Sequence, residues 1–102
     1  MMQIKLFAPT MTRASTKLLS SALTHLERGD WRAAHEIVQQ DEDDSLACWA
    51  HGIVHLMEGD NGNARYWYRR AGRAFPAAAD PATEIKALAA TLPPASRRRR
   101  RR

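Results

Sequence analysis

The hydrophobic positions of this chain recur at helical spacing. Leu18, Leu19, Ala22, Leu23 and Leu26 fall on one stripe, as apolar residues three and four apart do on a 3.6-residue helix. They predict a first helix over residues 15–28. Trp31, Ala34, Ile37 and Val38 repeat the spacing and predict a second over 31–40. Leu46, Trp49, Ala50, Ile53 and Met57 mark a third over 45–58, and Ala64, Trp67, Tyr68, Ala71 and Phe75 a fourth over 61–74. Ile85, Leu88, Ala89 and Leu92 mark a fifth over 81–92. The breaks carry matching chemistry. Gly29-Asp30 and Gly59-Asp60 each join a glycine, able to close a helix in the left-handed conformation, to an aspartate that caps the next. Asp80-Pro81 is a cap followed by proline in the first turn, and Pro76 and Pro93-Pro94 stop the helices before them. Asp41, Glu42, Asp43 and Asp44 form an acidic loop whose end suits the positive pole of the third helix.

The expected fold class is all-α: two antiparallel helical hairpins and a C-terminal capping helix, together spanning residues 15–92. Residues 1–14 read as a flexible leader and 93–102 as a disordered polyarginine tail. The leader contains no acid and is rich in Ser/Thr, a composition shared with organellar transit peptides, although its arginine content is low. Roughly 65–75 residues remain for a core, a size at which burial is marginally stabilising. Partner binding or self-association into a homo-oligomer would suit such a chain.

The two hairpins align at an offset of 30. His25 matches His55, Leu26 Leu56, Gly29 Gly59, Asp30 Asp60 and Ala34 Ala64, while Leu23/Ile53 and Val38/Tyr68 stay apolar. The unit is helix, Gly-Asp turn, helix, with a small residue where the helices cross. Trp49, Gly59-Asp60, Ala64, Tyr68, Ala71 and Pro76 stand where tetratricopeptide-like repeats place an early Trp, the turn, a small Ala, an aromatic, Ala and a terminal proline. Over about residues 18–92 the chain resembles those repeats. Its period is 30, against 34 in the family, and the family's Leu-Gly pair is missing, so the resemblance is to paired helices. It implies a solvating cap in the fifth helix and a partner-binding groove lined by the first helix of each pair. The segment EGDNGNARYWYRRAG is similar to one in small microbial proteins of uncharacterised function, which implies no activity.

Charge changes the picture at one end only. The formal net charge is +5, but Arg97, Arg98, Arg99, Arg100, Arg101 and Arg102 supply six positive charges. The other 96 residues hold ten basic and eleven acidic side chains, so the body is close to neutral. A run of six arginines binds polyanions without sequence preference and with steep salt dependence. Nucleic acid is therefore an alternative partner. Cys48 is the single cysteine, so no intramolecular disulfide forms and a reducing compartment fits. No apolar run reaches the ~20 residues of a membrane span, and a cytoplasmic protein is the default expectation.

Three constellations could carry chemistry. Cys48, His51, His55 and Glu58 fall within roughly 80° on the third helix, at about 100° per residue. Cys48, His51 and His55 could supply three zinc ligands, with His35 or His25 as a fourth if folding brings one close. The same face, with His25 from the equivalent helix, could instead line the groove through His25, His51, His55 and Glu58. Arg65, Arg69 and Arg73, four apart, with Arg70 and Tyr66 beside them, form a cationic stripe on the fourth helix. That stripe could grip phosphate or acid, pair with the 41–44 loop, or stay solvated.

No nucleophile, second carboxylate or oxyanion loop accompanies the histidines, and no cofactor motif is present. The expected function is a non-enzymatic interaction module for a protein or peptide, without cofactors. The alternatives are a polyanion binder using the helical arginines and the tail, and a metal protein using the third-helix face.

Overall fold

The computed structural model describes residues 13–92; the expectations for the leader up to residue 12 and for the polyarginine tail lie outside them. Within the described residues the chain forms five helices and no strand: α1 (Arg13–Glu27), α2 (Trp31–Val38), α3 (Ser45–Glu58), α4 (Asn61–Arg70) and α5 (Pro81–Thr91). None of these helices is long and apolar enough to cross a membrane.

Aspartate caps begin four of the five helices. Asp30, Asp44, Asp60 and Asp80 accept from the amides of Ala33, Ala47, Asn63 and Thr83 at 3.2, 2.8, 3.2 and 3.3 Å. Each satisfies a donor that the first helical turn otherwise leaves unpaired. Gly59 closes α3 at φ 90°, a region that a side chain disfavours. Periodicity ran helix 4 to residue 74, but α4 ends at Arg70. Gly72 turns left-handed at φ 74°, and the Arg73 amide folds back to the Tyr68 carbonyl at 3.0 Å. Phe75 packs against the core from that turn rather than from a helix.

Helix α3 is the centre of the domain. Every residue from 47 to 56 is buried, because α4, α2, α5 and α1 all pack against it. It meets α4 tightly at Gly52, where an added Cβ would lie 2.5 Å from Tyr68 Cδ1. Only glycine lets the Tyr68 ring lie on the helix backbone there. Trp49, Ile53, Val54, Tyr68, Leu19, Leu26 and Leu88 are almost fully buried. Met57, Ile85 and Ala71, which the periodicity also placed inward, are half-buried at the margin of this core.

Helix α5 packs on α3 and α1. Its Glu84 fixes that position: one carboxylate oxygen accepts from Trp49 Nε1 at 3.0 Å and from the Tyr68 hydroxyl at 2.6 Å. Burial first, and then this carboxylate, pushes the Tyr68 hydroxyl pKa upward, so it remains a donor. The fifth helix thus lies along α1 and α3, on the Trp49 side of α3.

Candidate functional sites: a histidine cluster and an arginine-lined helix

His51 and His55 are four residues apart on α3 and so share a face. That face was expected to be open; it is instead packed under neighbouring helices, with His51 3% and His55 7% exposed. The reason is the central place of α3, which leaves it no solvent side along most of its length. His35, in the last turn of α2, meets both from across the helix pair. Its ring stands edge-on to His51 at 4.8 Å and to His55 at 5.3 Å, while His51 and His55 stack at 5.2 Å. One ring nitrogen from each of the three lies within 4.8 Å of the others.

The other two expected members are elsewhere. Cys48 is buried one turn before His51, and its thiol donates to the Glu42 carbonyl at 3.2 Å. Burial pushes its pKa up, opposed by the Arg70 guanidinium. The trio that comes together is His35, His51 and His55, not Cys48, His51 and His55. His25 stays at the first turn, its Nδ1 3.8 Å from Asp30 and its side chain 30% exposed. His25, His51, His55 and Glu58 therefore do not share one surface.

Each cluster histidine has a defined neighbourhood. His51 lies flat on Trp67 of α4, 3.7 Å between centroids and 8° between planes. Its Nδ1 is a buried nitrogen without a hydrogen-bond partner, a condition that costs about 1–3 kcal/mol if nothing satisfies it. Its pKa is pushed down to about 3, first by burial and then by His35 and His55, so the ring is neutral at ordinary pH. His55 Nδ1 is 2.8 Å from Glu58 Oε1. A carboxylate oxygen accepts here, so Nδ1–H is the donor, and in the neutral ring that leaves the lone pair on Nε2. Asp60, also near His55 and Glu58, is already engaged by the amide and side chain of Asn63.

The arginines of the expected stripe are individually placed, and Arg73 lies not on α4 but in the turn after it, because Gly72 ends the helical course. The Arg65 guanidinium sits 4.2 Å above Phe75 and that of Arg73 3.4 Å above Trp49. Arg70 donates to the Glu42 carbonyl at 2.9 Å, stands 3.7 Å from Asp43 and lies 5.4 Å from the Trp67 ring. Arg70 thus pairs with the acidic loop. Arg69 is exposed, and Tyr66 beside it is, among the described residues, the large apolar side chain left in solvent, 43% exposed. Among the described residues neither Arg65 nor Arg73 makes an ion pair. Trp67 and Tyr68 belong to the core, as their stripe with Ala64 implied.

Sequence reasoning placed His35 only conditionally and gave Trp67 no part in the cluster. A usable signal existed: the six residues between α2 and α3 hold these helices together, and His35 occupies the last turn facing that junction. No family model, curated protein or solved structure matches this chain.

Proposed function

We propose that this chain is a non-enzymatic helical interaction module that binds an acidic protein or peptide segment along the outer side of α4. The observation that carries the reading is the pair of guanidiniums, Arg65 and Arg73, lying on Phe75 and Trp49 without an acidic partner among the described residues. A stacked guanidinium keeps its in-plane N–H donors for a carboxylate and is already ordered, so it loses little side-chain entropy on binding. Exposed Tyr66 and Arg69 extend the same helix with residue types that anchor interfaces.

The duplicated helix–Gly-Asp–helix unit supports a tetratricopeptide-like pairing of helices. The face of α3 that carries His51 and His55 is covered by His35 of α2 and Trp67 of α4. The partner surface accordingly moves from the histidines to the arginines.

The test is a fluorescence-anisotropy titration of a labelled poly-glutamate peptide against the full chain. Arg65→Ala with Arg73→Ala should weaken binding at least about tenfold, or ~1.4 kcal/mol. Removing Arg97 to Arg102 should change it less than about threefold. The reverse ranking, with a steep salt slope, would favour the tail as a general polyanion binder and retire the α4 surface.

A further inference from the structure

We infer that His35, His51 and His55 form a binding site for one borderline divalent transition-metal ion, of the zinc class, which ties α2 to α3. The site is independent of the acidic-partner surface. It rests on the convergence of three imidazoles from two helices, with one nitrogen of each inside a 4.8 Å circle. At metal–nitrogen distances of about 2.0–2.1 Å, nitrogens around a common ion stand within about 4 Å of one another. Small side-chain rotations cover that difference.

The surroundings suit a metal better than a plain packing of rings. A buried imidazole in a core ordinarily donates from one nitrogen and accepts at the other. His51 Nδ1 is buried and does neither. Its two aromatic neighbours in the cluster are themselves imidazoles, and Trp67 covers the face of its ring at 3.7 Å. The stack leaves the His51 nitrogens reachable only along the ring plane and holds that plane in place.

His55 is oriented by different means. Its Nδ1–H donates to Glu58 at 2.8 Å, which fixes the tautomer and presents Nε2. A carboxylate behind a histidine in this way is the usual partner of a metal-bound imidazole. Glu58 is thus a positioning residue, not a ligand, because its oxygen is engaged by the far side of the ring.

The donor set names the ion class. Three neutral nitrogens suit zinc, nickel, cobalt or copper and exclude calcium and magnesium, which require oxygen ligands. Three protein ligands leave a fourth position for water or a ligand from solvent, and His35 is half-exposed at the edge of the cluster. The ion would bridge the two helical pairs, since His35 belongs to the first and His51 and His55 to the second. A small domain gains from such a link because binding free energy adds to folding free energy.

The experiment uses the full 102-residue chain, purified without a histidine tag and stripped with EDTA. It is titrated with zinc chloride by calorimetry and melted with and without zinc. One equivalent of zinc should bind and raise Tm by several degrees. Cobalt should give a visible spectrum of nitrogen and oxygen ligation, without the near-ultraviolet thiolate band that Cys48 would add. Glu58→Gln should weaken zinc about 10–100-fold, and His35→Ala by more, with the circular dichroism of both unchanged. His51→Phe, which keeps the stack on Trp67, should abolish binding. Cys48→Ser and His25→Ala should leave it as in the parent chain. Should the buried His51 variant fail to fold, His35→Ala and Glu58→Gln still decide the matter. No binding up to about 1 mM zinc, or binding indifferent to His35→Ala, overturns the site. Loss of binding in Cys48→Ser overturns the ligand set in favour of the thiolate.

Discussion

At the first Gly-Asp turn, His25 leaves nearly a third of its side chain in solvent and stands 3.8 Å from Asp30. At the second, its repeat partner His55 is buried and lies 2.8 Å from Glu58. Turn chemistry is shared: glycine at φ 81° and 90°, and an aspartate cap at 3.2 Å in both. What differs is the company. The offset of 30 pairs Ser21 with His51, Arg28 with Glu58 and Ile37 with Trp67, so the first unit has no imidazole, carboxylate or indole at those three positions. It also lies at the edge, while α3 lies at the centre. One local motif therefore yields a part-exposed His-Asp contact in one place and a buried cluster in the other. Position in the fold makes the difference.

The sharpest way to break this comparison is at the helix crossing. The second unit sets Gly52 against Tyr68, and the first has Ala22 and Val38 at the corresponding positions. Gly52→Ala drives a methyl into the Tyr68 ring and should cost about 2–3 kcal/mol in urea unfolding. Tyr68→Val added to it should give a loss smaller than the sum of the two single losses, by at least about 0.5 kcal/mol, because the ring is what the methyl strikes.

Acid should act next most strongly, and through the second unit. In the chelator-treated chain His51 titrates at about 3 when folded and near the ordinary 6.5 when unfolded. Between those values the unfolded state binds the extra proton, so stability is complete above pH 6.5 and falls as pH drops toward 3. From pH 6.5 to 5 the loss should be about 2 kcal/mol, read as a falling urea midpoint. His51→Phe should remove that slope, and a slope that survives the substitution would refute the assignment.

The caps should show where the two units are alike. Asp30→Ala and Asp60→Ala should each cost about 1 kcal/mol, and a large inequality in thermal unfolding would mean that the turns are not equivalent. Smallest is Arg73→Ala, which removes a guanidinium from the face of Trp49. About 0.5–1 kcal/mol of stability should go, read in thermal unfolding.

Much of this was legible in the chain. Helical spacing, four aspartate caps and two glycine-aspartate turns are local properties, set by the steric limits of each backbone and by its own first-turn donors. They placed all five helices and most of the core, from Leu19 to Leu88. The end of α4 was misjudged by four residues, because apolar spacing continued to Phe75 while Gly72 turned the backbone.

Contacts between helices were beyond the same reasoning. Helical spacing put Cys48, His51, His55 and Glu58 on one face of α3 but carried no information about what would cover it. Tertiary packing brought His35 and Trp67 onto that face, sent the Cys48 thiol to the acidic loop, and laid α5 over α1 and α3. A helix face is determined by a repeat of 3.6 residues along one segment. Which helix covers that face follows from burying the apolar surface of all five helices at once, with partners far apart in the chain and close in space.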